Sequence, residues 1–257
     1  MNERLTILYT GGLRGDLALL PRLYTRLKRL KGAENGARVL LIDVGEACAA
    51  DDGRASPTEV VAWHCAVTEG RSMIVALDGM GYDIVHAEIS AQARAKLGDN
   101  LRAAVVSLNQ TWMQDKIAVY TLHTIPPYDI LERVRLLIYP CDDATQDQDA
   151  RDGRDPAYRI TAVKQIENSL YLPQPKAGQV GRVRLQLPDV ESFTEVRSHQ
   201  PAAELPSEWL PQLLSTDVID LSPSTPPEPT IAGMIDFIIS EARYTQKKAA
   251  RSAEIDP

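Results

Sequence analysis

Three small sets of polar residues each stand at the end of an apolar run. Gly11, Gly12 and Arg14 follow Leu5–Thr10, Asp43 and Glu46 close the run that begins at Val39, and His86 and Glu88 follow Ile84-Val85. Polar residues in that position face the C-terminal edge of a sheet, where α/β proteins build their sites. Carboxylates and imidazoles are the ligand types of a hard or borderline cation. A glycine-rich turn with a guanidinium beside it is suited instead to a phosphate. Which chemistry applies depends on the elements that carry these residues.

Leu5–Thr10 reads as a buried strand. Leu19, Leu20, Leu23, Leu27 and Leu30 then recur at helical spacing, with Arg22, Arg26, Lys28, Arg29 and Lys31 on the opposite face and Pro21 in the first turn. Val39–Asp43 is continuously apolar, as in a parallel sheet. Thr58–Met80 has helical character weakened at Gly70, and Ile84–Ala87 is a third short strand. This β-α-β-α-β alternation makes an α/β beginning. The second half is strand-rich instead: Ala103–Leu108, Lys116–Thr124, Ile130–Tyr139, Tyr158–Ile166, Ser169–Leu172 and Gly181–Leu187, with Asp142–Asp155 as an acidic loop.

The sequence divides into a domain over 1–198, a Pro-rich linker or strap over 199–230, and an amphipathic helix with a charged tail over 231–257. Thr230 is placed to cap that helix. Its stripe of Ile231, Met234, Ile235, Ile238 and Ile239 either packs on the domain or meets a protein partner or a second copy of the chain.

The 257 residues suffice for one sizeable core, and 25% of them are charged. The net charge of −7 argues against a nucleic-acid binder, whose affinity rests on neutralising phosphates. No apolar run approaches the ~20 residues of a membrane span, so no membrane partner is expected. Cys48, Cys65 and Cys141 form an odd, widely spaced set. Together with the lack of a leader-like start, they point to structural thiols and a cytoplasmic location.

Leu5-Thr-Ile-Leu-Tyr-Thr-Gly-Gly-Leu-Arg-Gly15 resembles the first motif of the metallophosphatase (calcineurin-like phosphoesterase) superfamily, in its 5'-nucleotidase-type N-terminal domain. The family writes Asp-x-His there; this chain has Gly12-Leu13-Arg14. Val39–Glu46 resembles the second motif, an apolar strand ending Asp-x-Gly-Asp, with Glu46 at the metal-bridging acid. Gly81–Val85 resembles the strand before the family's Gly-Asn-His-Glu, with Ile89 and Ser90 at the Asn and His places. A shorter alignment puts His86 at the His place. Val180–Leu187 resembles the late strand that closes the catalytic domain. No counterpart to the family's Gly-His-x-His lies between Tyr139 and Tyr158.

The resemblance spans residues 5–190 and implies a reduced α/β/β/α sandwich with mixed sheets, followed here by a Pro-rich strap and a helix. It also implies two metal ions, which the substituted ligand places do not support. Like charges ~4 Å apart at an effective dielectric of ~20 cost about 4 kcal/mol, so Arg14 opposes a cation. No catalytic residue, metal ligand or cofactor is therefore assigned. The expectation is a catalytically inactive, pseudo-phosphoesterase domain that serves as a binding or assembly module. Its cleft remnant comprises Gly11, Gly12, Arg14, Asp43, Glu46, His86 and Glu88.

Two other functions remain open: nucleotide or phosphate binding by the Gly11–Gly15 turn, and metal-dependent phosphoester hydrolysis with remodelled ligands. Asp43 either caps or pairs locally or ligates. Arg14 either pairs with Asp43 or Glu46 or meets an anion. His64 is expected to be packed, and His123 and His199 receive no role.

Overall fold

The computed structural model describes residues 3–48, 63–87, 89–107, 111–120, 134–141, 161–189 and 210–255. Its strands are β1 (Glu3–Thr10), β2 (Arg38–Asp43), β3 (Ile84–His86), β4 (Ala104–Val106), β5 (Trp112–Gln114), β6 (Ile117–Val119), β7 (Leu136–Cys141), β8 (Lys164–Ile166), β9 (Ser169–Pro173), β10 (Gln179–Leu187) and β11 (Gln212–Asp220). Its helices are α1 (Leu20–Ala33), α2 (Trp63–Thr68), α3 (Arg71–Gly79), α4 (Ala91–Leu97) and α5 (Pro229–Ile255).

Two mixed sheets face each other. The first runs β11-β10-β1-β2-β3-β4 and the second β5-β6-β7-β9-β8. β1 to β4 are parallel, joined through helices, while β10 adds antiparallel to β1 and β11 antiparallel to β10. Side-chain alternation then splits the core into two layers. Ile7, Ile42, Val183 and Leu185 meet Val119, Ile138, Leu170 and Leu172 between the sheets. Leu8, Leu41 and Val85 turn the other way, onto Leu23, Leu27, Met73 and Leu77 of α1 and α3. The two mixed sheets, the helices on one face and the C-terminal helix match the expected architecture. Among the described residues, no helix lies on the outer face of the second sheet.

Several expectations need correction. The Ile231, Ile235 and Ile238 stripe of α5 is buried in the same helix-side core, with Met234 and Ile239 packed against it. That is one of the two roles the sequence left open for the stripe, packing on its own domain. α5 begins at Pro229, whose fixed φ suits a first turn, so Thr230 lies inside the helix rather than capping it. The stretch expected as a linker contains β11, which uses the proline-free interval between Pro211 and Pro223 to pair with β10. Cys48 and Cys65 are joined by a disulfide, with Cα atoms 5.9 Å apart. Cys141 is buried and outside any disulfide, so two of the three cysteines are oxidised, which removes the support that three thiols lent to a reducing compartment.

The helical stretch expected to Met80 breaks at Gly70, which is left-handed at φ 83°, leaving α2 and α3. α4 was not legible as a helix, because its single buried side chain is Ala93. Residues 58–62, Glu88, His123, the Asp142–Asp155 loop and His199 lie outside the described residues.

Candidate functional site

β1 and β2 end side by side, with Thr10 opposite Asp43. The turns beyond them stay paired through the backbone. Val44 N–H donates to the Thr10 carbonyl (2.8 Å), Gly12 N–H to Gly45 (3.0 Å), Arg14 N–H to Glu46 (2.8 Å) and Gly15 N–H to Ala47 (2.8 Å). Keeping two tight turns in contact forces left-handed backbone on both. Gly12 has φ 61°, and Arg14 and Glu46 adopt φ 47° and 53° without glycine's freedom. Paired strain of this kind gathers at ligand clamps and active sites. A buried His64 fastens the first turn to α2: its Nε2–H donates to the Gly15 carbonyl (2.9 Å), and Nδ1 contacts the Ser72 hydroxyl (2.7 Å).

Asp43 is fully buried beneath these turns. Its Oδ2 accepts from the Thr10 hydroxyl (3.0 Å) and its Oδ1 from Gly45 N–H (3.2 Å). Because the Thr10 proton goes to the carboxylate, the Tyr82 hydroxyl must donate to Thr10 Oγ1 (2.8 Å). Burial, and then the Asp43 charge, push the Tyr82 phenol far above its ordinary range, so it keeps its proton. The result is a proton chain Tyr82→Thr10→Asp43 that orders the end of β1 against β2. Tyr82 was not legible as a site residue, since it looks like a turn aromatic in Gly81-Tyr82-Asp83.

Arg14 and Glu46 meet above that layer. Arg14 Nε and Nη2 both reach Glu46 Oε2, at 3.0 and 2.9 Å. Gln174, which follows β9 in the second sheet, donates its amide to the same oxygen (3.1 Å). The Glu46 side chain is 15% exposed and that of Arg14 is 65% exposed, so the pair has a sheltered carboxylate and an open guanidinium. Gln174 also closes over the glycines: a Cβ on Gly11 would lie 3.0 Å from its Cγ, and one on Gly12 2.9 Å from its Nε2. No residue pattern pointed to Gln174, because its role arises only where the second sheet crosses the first turn.

His86, at the end of β3, is buried and donates Nδ1–H to the Val44 carbonyl (3.0 Å). That bond fixes its tautomer. Ile89 is half-buried and packs against the helix-side core. Ser90 is the N-cap of α4: its hydroxyl accepts from Ala93 N–H (3.0 Å) and donates to Glu69 (3.1 Å). The places where the family carries Asn and His thus start a helix.

The structure brings Gly11, Gly12, Arg14, Asp43, Glu46 and His86 to one sheet edge. Their donor set does not fit a two-metal centre. Both Asp43 oxygens accept protein protons, one Glu46 oxygen carries three, and Arg14 puts a positive charge beside it. Among the described residues, no three His, Cys, Asp or Glu side chains are grouped so as to hold a metal ion. A phosphate cradle fits poorly as well, since the Gly12, Arg14 and Gly15 amides are already committed to the second turn. Among the same residues no helix is long and apolar enough to cross a membrane.

No protein-family model matches the sequence, and no curated protein matches it either. Solved structures do resemble its fold. The sulfate thiohydrolase SoxB from Thermus thermophilus superposes with a TM-score of 0.58 at 11% identity, over 92% of this chain. This chain spans 60% of that enzyme's length. The calcineurin-like phosphoesterase YfkN from Bacillus subtilis gives a TM-score of 0.51 at 10% identity, over 96% of this chain and 100% of that one. The chain therefore has a metallophosphatase-like fold.

Proposed function

We propose that this chain is a pseudo-phosphoesterase, a metallophosphatase-like domain of the 5'-nucleotidase type that no longer turns over phosphoesters and acts as a binding or assembly module. The Arg14–Glu46 ion pair carries this proposal. It sits at the residues that resemble the first and second metal motifs, and with Gln174 it places three protein protons on one oxygen of the carboxylate at the metal-bridging place of the resembled motif. The Asp43 hydrogen bonds support it further, because each oxygen of this buried carboxylate already accepts a protein proton and orders the two turns. The exposed face of the Arg14 guanidinium leaves the cleft mouth a positive spot for an acidic group of a partner.

The test is elemental analysis of the purified chain, paired with turnover of a generic aryl phosphoester in the presence of manganese. The expected result is substoichiometric metal and no turnover above a Glu46→Ala control. Two manganese, iron or zinc ions per chain, or manganese-dependent turnover that Glu46→Ala abolishes, would refute the proposal.

A further inference from the structure

The four sheet edges are unequal. β4, β5 and β8 are each three residues long, and the β4 edge has Arg94 against the Val105 carbonyl. β11 runs for nine residues, Gln-Leu-Leu-Ser-Thr-Asp-Val-Ile-Asp, at the end of the first sheet. Its inner side pairs with β10 from Gln212 to Asp220. Among the described residues nothing pairs with its outer side. Natural edge strands are usually blunted by lysine, proline or brevity. β11 contains no Lys, Arg or Pro, and it exposes Leu213, Leu214 and Val218 at 37%, 47% and 61%. Two blunting devices are present, the carboxylates of Asp217 and Asp220 and a register shift opposite Arg184 and Leu185, which bounds regular pairing at Leu214.

We infer that β11 is a self-association edge, pairing antiparallel with β11 of a second copy of this chain about a two-fold axis at Thr216. The occupant is identified by the sequence of the strand, which is complementary to its own reverse. In that register Leu214 faces Val218 of the copy, Ser215 faces Asp217, and Thr216 faces Thr216. Apolar meets apolar, hydroxyl meets hydroxyl or carboxylate, and no like charges stand opposite. Each contact away from the axis occurs twice, and Thr216 meets its own copy on the axis, as an isologous interface requires.

Neighbouring registers lack this match. Centring on Asp217 sets that carboxylate against itself and Leu214 against Asp220, whereas centring on Ser215 sets Leu213 against Asp217. The existing charges also favour the Thr216 register. Asp217 is already held by Arg182 (2.8 Å), and Arg184 reaches both Ser215 (3.4 Å) and Asp217 (3.7 Å). An incoming Asp217 opposite Ser215 therefore meets a guanidinium. The inference rests on the strand edge alone and stands whether or not the cleft is catalytic.

The test is light scattering after size exclusion, on the full chain, from about 1 to about 100 μM. The expected mass rises towards twice the 28.3 kDa of one chain. L214K/V218K sets lysine against lysine, and its dimer dissociates at least about tenfold more readily. L214K/V218E sets lysine against glutamate and restores the dimer in a salt-sensitive way. As a second route, oxidised Thr216→Cys gives a covalent dimer, because opposed antiparallel residues have Cα atoms about 4.5–5.5 Å apart. This readout decides the matter if the lysine variant does not fold. A chain that stays monomeric throughout, a dimer indifferent to L214K/V218K, or a Thr216→Cys chain that does not cross-link would overturn the inference.

Discussion

The buried chain Tyr82→Thr10→Asp43 predicts a non-additive pair of substitutions. Thr10→Val keeps the β-branched shape of a fully buried strand residue and removes only the hydroxyl. Two groups are then left with a bond unmade: Asp43 Oδ2 loses the Thr10 donor, and the Tyr82 hydroxyl loses its acceptor. A hydrogen bond to a charged group contributes about 1.5–3 kcal/mol, and a stranded buried donor costs about 1–3 kcal/mol, so Thr10→Val should cost roughly 2.5–6 kcal/mol. Tyr82→Phe removes one neutral bond while Thr10 still serves Asp43, and should cost about 0.5–1.5 kcal/mol. In Thr10→Val/Tyr82→Phe no tyrosine proton remains to be stranded. The double variant should therefore be more stable than Thr10→Val alone by about 1–2 kcal/mol, or roughly 2–8 °C in Tm for a chain of this size. Urea and thermal unfolding of the four proteins, followed by circular dichroism, measures the cycle. Costs that simply add, or a double variant below Thr10→Val, would refute the proton chain, and with it the view that Asp43 is held as a structural carboxylate.

Two further expectations concern the sheet itself. Glu34, just beyond α1, accepts from Thr6 (2.9 Å), Arg182 (3.3 Å) and Arg184 (2.6 and 2.9 Å), and these partners, Arg184 foremost, hold its carboxyl below the ordinary value. A lowered folded pKa contributes stability above the unfolded value of about 4.3 and loses it as pH falls through the folded value. Glu34→Gln should thus be destabilised by about 1–3 kcal/mol near neutrality, with the gap to the parent chain shrinking in denaturation series taken towards pH 3. Gly181 lies directly against the Tyr9 ring, so Gly181→Ala should destabilise by about 1–3 kcal/mol through overpacking, read as a lower urea midpoint; Gly181→Ala/Tyr9→Leu should recover part of it.

How much of this was legible follows from the range of each interaction. β1, α1 and β2 announce themselves through continuous or 3.6-period apolar runs, because burial of one strand or one helix face is written locally. The residue types at Gly12, Arg14, Ile89 and Ser90, which differ from those of the resembled motifs, were also visible. Ser90 proved to be a helix cap, and a cap acts within three residues of itself. Beyond that range the sequence offered choices that it could not make. Arg14 was equally placed for Asp43 or for Glu46. The backbone pairing of the two turns lifts Glu46 to it while Thr10 and Gly45 draw Asp43 beneath.

The amino-acid order alone therefore determined the α/β beginning, the strand-rich second half, and the Gly12-Leu13-Arg14 turn after the first strand, since each is a matter of residue type at a local spacing. Tertiary structure alone decided that Tyr82 and Gln174 complete the site from 72 and 128 residues away. It alone decided that Cys48 bonds Cys65, that the C-terminal stripe is core, and that a proline-bounded stretch ends the sheet. Each of those outcomes depends on which surfaces meet when two sheets and their helices close, and no run of neighbouring residues encodes which surfaces those are.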